Sequence, residues 1–283
     1  MGISTKDRQY LREALELAAR ARGCTSPNPM VGALIVRDDE VVGRGWHRKA
    51  GQPHAEVEAL REAGDKARGG TLYVNLEPCN HHGRTPPCTE ALIQAGVARV
   101  VAAMIDPDPR VAGNGLRRLK AAGIEIDCGG LEGEARRLNE AFITFHHLKR
   151  PFVIAKWAMT LDGRTSTDSG DSRWISNDAS RRYSHQIRAS VDAIGVGVGT
   201  IFFDNPRLTV RLENYDRGQP KRVIFDGRLR IPTGAKCLDA TGGDTIILAT
   251  DNAPEERVER VRKAGHTVLT APGRGRIVAI EPA

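Results

Sequence analysis

The sequence predicts an α/β protein of two layered domains, covering 1–148 and 151–283. Three observations lead there. Short apolar runs alternate with helical periodicity along all 283 residues. That length suits two cores better than one. Between them, "HLKRPFVIAKWAM" sets basic residues and Pro151 ahead of a new apolar run. In the first domain the alternation predicts helices on both faces of one sheet, a three-layer arrangement.

In chain order, residues 4–22 read as a helix with Leu11, Ala14, Leu15 and Ala18 on one face, and Ser4 with Asp7 resembles a capping box. "SPNP" (26–29) reads as a loop. Strands over 31–37 and 41–47 are joined by the turn "DDE". A helix over 54–64 ends at Gly64. A strand over 71–76, a helix over 89–96 and a strand over 99–105 follow, and a long helix over 131–148 closes the domain. The second domain predicts strands over 152–159, 191–198, 222–226, 245–250 and 266–270, with helices near 178–189 and over 254–264. No internal repeat or low-complexity linker separates the halves, so they are expected to pack closely.

Hydrophobic content of 40% can fill two cores, and 27% charged residues keep the surface hydrated. No apolar run approaches the roughly eighteen residues of a membrane span. "MGISTKDRQYLREALELAAR" has no signal-peptide core, so a cytoplasmic location is expected. The net charge of +7 is compatible with nucleic acid or phosphorylated small molecules. Its arginines are scattered, which favours an ordinary solvated surface. Five cysteines (24, 79, 88, 128 and 237) make an odd count without a secretory signal, against a disulfide framework. Only Cys79 and Cys88 are close together in a turn-rich stretch.

That stretch, "EPCNHHGRTPPC" (77–88), looks like half a metal site. With "PHAE" (53–56) upstream, His54, Cys79 and Cys88 offer one imidazole and two thiolates, a donor set zinc favours. A fourth position stays open for water, whose pKa the metal lowers to about 7. Glu56 lies two residues from His54, which inside a helix would put it on nearly the opposite face. Both reach one site only if His54 stands at the helix entry, and Pro53 favours that. Cys88 likewise follows Pro86-Pro87 at the start of a helix, so both helix N-termini would aim positive ends at the metal. Glu56 would then shuttle a proton from water to a leaving amine. The competing reading is an inert Cys2His2 staple closed by His81 or His82. The pattern H-x-E followed by P-C-x-x-C is the signature of zinc nucleobase deaminases, although the second interval here is C-x8-C.

"HAEVEAL", "LEPCNHHGRTPPC" and "DPDPRVAGNG" closely resemble the deaminase domain of the RibD family of bifunctional riboflavin-biosynthesis enzymes, over about residues 8–145. The resemblance implies a cytidine-deaminase-like fold. It implies hydrolytic removal of the 2-amino group of 2,5-diamino-6-(5-phosphoribosylamino)pyrimidin-4-one. His54, Cys79 and Cys88 would hold Zn2+, Glu56 would be catalytic, and Asn28, His47, Arg84 and Asp106 would line the substrate pocket. Asp108 stands where many relatives have Asn, adding a charge and removing a donor, so its role carries over only weakly.

"AKWAMTLDGRTSTDSGDSRWIS" and "GVGVGTIFFDNPRLTVR" resemble the start of the same family's reductase domain, which implies a dihydrofolate-reductase-like fold and NADPH-dependent reduction of the ribosyl group. By that resemblance Ala158, Trp174, Thr200 and Asp204 would contact NADP. Lys156, Ser172, Arg188, Leu208 and Arg211 would meet the substrate. Trp174 can stack on a flat ring. Glycines 195, 197 and 199 would let backbone approach a phosphate, but such a run more commonly means a buried strand of small residues. The family's later glycine-rich turn does not occur before the end at "GRIVAIEPA". The expectation is therefore a reductase half incomplete at its C-terminus, of doubtful activity, with an exposed sheet edge.

The leading reading is a zinc pyrimidine deaminase joined to a reductase domain, acting on a phosphorylated pyrimidine, without nucleic acid or membrane, and able to form a homo-oligomer. The alternative is a nucleic-acid-editing deaminase. It calls for stacking aromatics near the site, and residues 70–110 contain only Tyr73. A purely structural zinc protein leaves Glu56 without a role.

Overall fold

A computed structural model describes residues 2–81, 86–109, 111–274 and 277–278. The chain divides into two compact units, Met1–Ile154 and Ala155–Ala283.

The first unit begins with α1 (Thr5–Ala19), started by the expected capping box: Ser4 accepts from the Asp7 amide and Asp7 reaches back to the Ser4 amide. Strands β1 (Gly32–Arg37) and β2 (Glu40–Trp46) form a hairpin. Its two turn residues, Asp38 and Asp39, both have positive φ, which fits the twist of a two-residue hairpin. Then come α2 (Ala55–Ala63), β3 (Thr71–Val74), α3 (Cys88–Ala95), β4 (Arg99–Ala102), α4 (Asn114–Ala121) and β5 (Glu125–Cys128). The sheet order is β2-β1-β3-β4-β5, with the first three antiparallel neighbours and β3, β4 and β5 parallel.

The three layers follow from alternation along the strands. Ala33 and Ile35 enter one core, with Ala55 and Ala59 of α2, Leu92 of α3 and Leu119 of α4. Leu34 and Val36 enter the other, with Leu11 and Ala14 of α1. Successive strand side chains point to opposite faces, so a short apolar run serves both layers. Helix α2 lies close on β2: a Cβ at Gly45 would collide with the Ala55 carbonyl. That approach brings the start of α2, with His54, to the end of the hairpin.

The expected helix over 131–148 is two helices, α5 (Glu132–Leu138) and α6 (Glu140–Leu148), broken at Asn139. The Asn139 side chain accepts from the Met30 amide at 2.8 Å and donates to the Met30 carbonyl at 2.9 Å. A side chain that pairs with distant backbone on both sides fixes a bend that helical periodicity does not reveal.

The second unit contains α7 (Asp178–Arg188), β6 (Ala193–Gly197), α8 (Val198–Asp204), β7 (Lys221–Phe225), β8 (Thr245–Thr250), α9 (Glu255–Lys263) and β9 (Thr267–Ala271). The sheet β6-β7-β8-β9 is wholly parallel. Short β10 (Gly273–Arg274) and β11 (Ile277–Val278) pair antiparallel. Ile224, Ile247 and Val268 of the sheet pack with Val198, Ile201, Val258 and Val261 of the helices.

The strand expected over 152–159 does not form. Residues 151–160 carry no regular structure, and Val153, Ile154, Trp157 and Met159 are exposed. Apolar content identifies a segment that wants cover, but a strand also needs a neighbour for its backbone groups. None of the sheets among the described residues includes this stretch.

Candidate active site

His54 is the N-cap residue of α2, with extended backbone (φ −75°, ψ 162°). Glu56 is in the first turn, and both side chains face the same cavity. Their two-residue spacing is thus accommodated because the helix begins between them. Cys88 opens α3 directly after the N-cap Pro87, and Cys79 lies in the turn after β3.

His54 Nδ1 is 3.3 Å from Cys88 Sγ and 3.5 Å from Cys79 Sγ, and the Cys88 amide points at Cys79 Sγ at 3.5 Å. The three donor atoms lie within 4.8 Å of one another. Tetrahedral zinc with ordinary Zn–N and Zn–S bonds separates such ligands by about 3.6 Å. The donor chemistry and spacing therefore fit zinc. Among the described residues no other His, Cys, Asp or Glu joins this group, so His81, although it lines the cavity, does not close a Cys2His2 site. His82 lies outside the described residues.

Hydrogen bonds from the Cys88 thiol, foremost, and from His54 hold the Cys79 thiol well below its ordinary pKa. Glu56 is buried, and that burial, with the Cys79 charge second, pushes its carboxyl up to about 7. A cation at the cluster would pull it down again. Glu56 thus stands buried beside the three donor atoms as a carboxyl group able to take up and return a proton.

The cavity measures about 350 Å³ and is bordered by Asn28, His47, Glu56, Asp106, Asp108 and the aromatic residues of α6. Asn28 Nδ2 is 3.1 Å from His47 Nε2, and His47 Nδ1 is 3.1 Å from the Pro53 carbonyl. The loop carrying Asn28 is pinned at Met30 by Asn75 and Asn139, both buried. Burial, foremost, raises Asp106 to about 6, and its Oδ1 accepts from the Asp108 amide at 2.8 Å. Arg84, expected beside these, lies outside the described residues.

Two features of the cavity were not foreseen in the sequence, the α6 face and Glu77. Phe142, Phe145 and His146 line the cavity from α6, with the Phe142 and His146 rings 4.3 Å apart. Their i, i+3, i+4 spacing marks one helix face and was the available signal. Asp108, which the resemblance carried over only weakly, borders the same cavity, with His146 Nδ1 3.9 Å from its Oδ2. Glu77, the first residue of "EPC", is buried in the cavity wall.

In the second unit Trp174 is exposed, with the Arg181 guanidinium 4.4 Å from its ring centre. Thr200 and Asp204 are on α8, and the Asp204 carbonyl accepts from Arg173 at 3.1 Å. Arg188 donates to the Thr209 carbonyl at 3.0 Å, and the Arg211 amide donates to His185 Nδ1 at 3.2 Å. Burial, then the charges of Arg188 and Arg211, push His185 down to about 4, so it accepts as a neutral ring. The structure thus brings Arg188 and Arg211 together, and Trp174 near Asp204 through Arg173. Leu208 is buried in the core with φ +56°. Lys156 is exposed and Ala158 half-buried in the stretch without regular structure, and Ser172 is half-buried.

Residues 4–104 match the cytidine and deoxycytidylate deaminase zinc-binding region, and residues 151–282 match the RibD C-terminal domain. The riboflavin biosynthesis protein RibD of Aquifex aeolicus is 47% identical over 267 residues, covering 94% of this chain and 74% of that protein. This chain belongs to the RibD family. The structure of Acinetobacter baumannii RibD superposes with a TM-score of 0.85 at 44% identity, over 95% of this chain and 74% of that one. A Thermotoga maritima diaminohydroxyphosphoribosylaminopyrimidine deaminase/5-amino-6-(5-phosphoribosylamino)uracil reductase superposes with a TM-score of 0.82 at 37% identity, over 95% of this chain and 81% of that one. The RibD relatives account for both units: a cytidine-deaminase-like fold first, a RibD reductase domain second.

Proposed function

We propose that the first unit hydrolyses the 2-amino group from 2,5-diamino-6-(5-phosphoribosylamino)pyrimidin-4-one, and that the second reduces the ribosyl group of the product with NADPH. The observation that carries the first half is the meeting of His54, Cys79 and Cys88 beside Glu56 in one cavity. Bound by those three side chains, zinc supplies Lewis acidity that makes water nucleophilic near neutral pH.

Glu56 takes the proton released as the water oxygen bonds to the ring carbon. It returns a proton to the nitrogen that leaves as ammonia. His47 and Asn28 stand beside it as polar groups able to orient the ring, and Asp106 faces them. The wall of α6 offers aromatic surface to a flat heterocycle. In the second unit the adjacent Arg188 and Arg211 form a positive spot suited to the substrate phosphate, and Trp174 presents a ring for the nicotinamide cofactor.

The RibD relatives favour this reading over a nucleic-acid-editing deaminase. Five free cysteines support a reducing cytoplasmic setting. Among the described residues no helix is long and apolar enough to cross a membrane.

The test is to supply the zinc-loaded chain with the diaminopyrimidine phosphate and measure ammonia. Release is expected, falling about 100-fold or more in Glu56→Gln. No release from the native chain, or full release from Glu56→Gln, overturns the assignment. The second unit is tested by NADPH oxidation with the deaminated product.

A further inference from the structure

Glu77 belongs to neither the metal cluster nor the proton path, yet four backbone amides donate to its carboxylate. Oε2 accepts from the amides of Asp106 at 3.1 Å and Gly113 at 2.8 Å. Oε1 accepts from the amides of Gly115 at 2.8 Å and Leu116 at 3.3 Å. The Glu77 amide donates to the Met104 carbonyl at 3.0 Å. A carboxylate has about four acceptor positions, so backbone N–H groups occupy them all. Although Glu77 borders the cavity, it has no acceptor left for a substrate.

These bonds connect two pieces of the site. On one side, Glu77 stands two residues before Cys79 in the same turn. On the other are Asp106, which reaches Asp108 through its own side chain, and the start of α4. Contact between the two pieces is close: a Cβ at Gly115 would collide with the Pro78 carbonyl.

We propose that Glu77 is a positioning residue for substrate binding, holding Asp106 and Asp108 at a fixed place relative to the Cys79 turn and Glu56. This rests on the deaminase reading above. A carboxylate is the suited group because it satisfies four donors without offering one of its own. Glutamine keeps the size but turns an amide nitrogen toward two backbone N–H groups. The pocket acids would shift while Cys79 keeps its own ties, the Cys88 amide on its Sγ and the Thr89 amide on its carbonyl.

The experiment compares Glu77→Gln with Asp7→Asn, which alters an equally buried carboxylate on the opposite face of the same sheet. In Glu77→Gln, KM for the diaminopyrimidine phosphate should rise about tenfold, with kcat within about threefold of native. Zinc per chain should be as in the native protein. Asp7→Asn should lower the melting temperature and leave KM unchanged. Direct titration of the same compound into Glu56→Gln and Glu56→Gln/Glu77→Gln should show the same tenfold difference in Kd. Unchanged KM and Kd in Glu77→Gln, or a KM rise equally large in Asp7→Asn, overturns the proposal. If Glu77→Gln does not fold, Glu77→Asp keeps the charge but shortens its reach to the same four amides. Its KM should also rise, and an unchanged KM overturns the proposal. A native chain that releases no ammonia defeats the deaminase reading, whereas the Kd comparison judges Glu77 separately.

Discussion

Asn28 Nδ2 and His47 Nε2 lie 3.1 Å apart, with the other His47 nitrogen 3.1 Å from the Pro53 carbonyl. The carbonyl can only accept, so Nδ1 carries the proton and Nε2 takes the Asn28 hydrogen. Burial, foremost, keeps His47 below its ordinary pKa, consistent with a neutral ring. Because Pro53 directly precedes His54, this chain of bonds ties the pocket loop to a candidate metal ligand. Asn28→Asp removes the donor and sets a charge against the ring. The expected result is a KM at least about tenfold higher with zinc content unchanged, read by steady-state kinetics and metal analysis.

The metal cluster makes a different prediction. His54, Cys79 and Cys88 are candidate ligands, whereas Glu56 is not. Cys88→Ser should therefore lose both zinc and ammonia release, while Glu56→Gln loses release and keeps zinc. A strong chelator should lower the melting temperature of the native chain, because binding to the folded site alone adds stability. Atomic absorption and thermal melts with and without chelator check these outcomes.

A third prediction concerns pH. Asp7 accepts from Arg99 at 2.9 Å, from the Tyr73 hydroxyl at 2.8 Å and from Ser4 at 2.8 Å. Burial alone would raise its pKa, but the Arg99 hydrogen bond, helped by Ser4 and Tyr73, holds it well below the usual carboxylate range. The folded pKa is thus below the unfolded one. The stabilisation is complete above the unfolded value of about 3.9 and fades as pH falls through the folded value. Asp7→Asn should cost on the order of 2 kcal/mol at neutral pH. Its gap from the native chain should shrink below about pH 4. Urea unfolding of both proteins at the two pH values measures this.

What could be read from the sequence divides along physical lines. Ser4 with Asp7, Gly64 after α2 and the DDE turn are local signals, and each element they bound formed within a few residues of its expected place. The placement of His54 at a helix entry was also local, since Pro53 and the position of Glu56 both required it. Asn139 was not legible, because its effect depends on Met30, over a hundred residues away. Glu77 was hidden for the same reason: its partners come from a later loop and helix. The 152–159 stretch misled because its apolar residues resemble those of a buried strand.

The exposed Trp174 ring supports the last prediction. Arg181 lies over it, 4.4 Å from the ring centre, and itself donates to the Ser176 carbonyl and the Asp178 carboxylate. The cation is therefore held by two acceptors, and a held cation keeps the indole in one orientation. A flat nicotinamide or adenine ring would stack on what remains exposed. Losing such a stack is worth about 1 kcal/mol, close to a factor of five to ten in affinity. Trp174→Ala should raise KM for NADPH by about that factor, and Trp174→Phe by less, because a smaller ring remains. Ammonia release from the diaminopyrimidine phosphate should be unchanged in both. Equal NADPH kinetics in native protein and Trp174→Ala would remove Trp174 from the cofactor site.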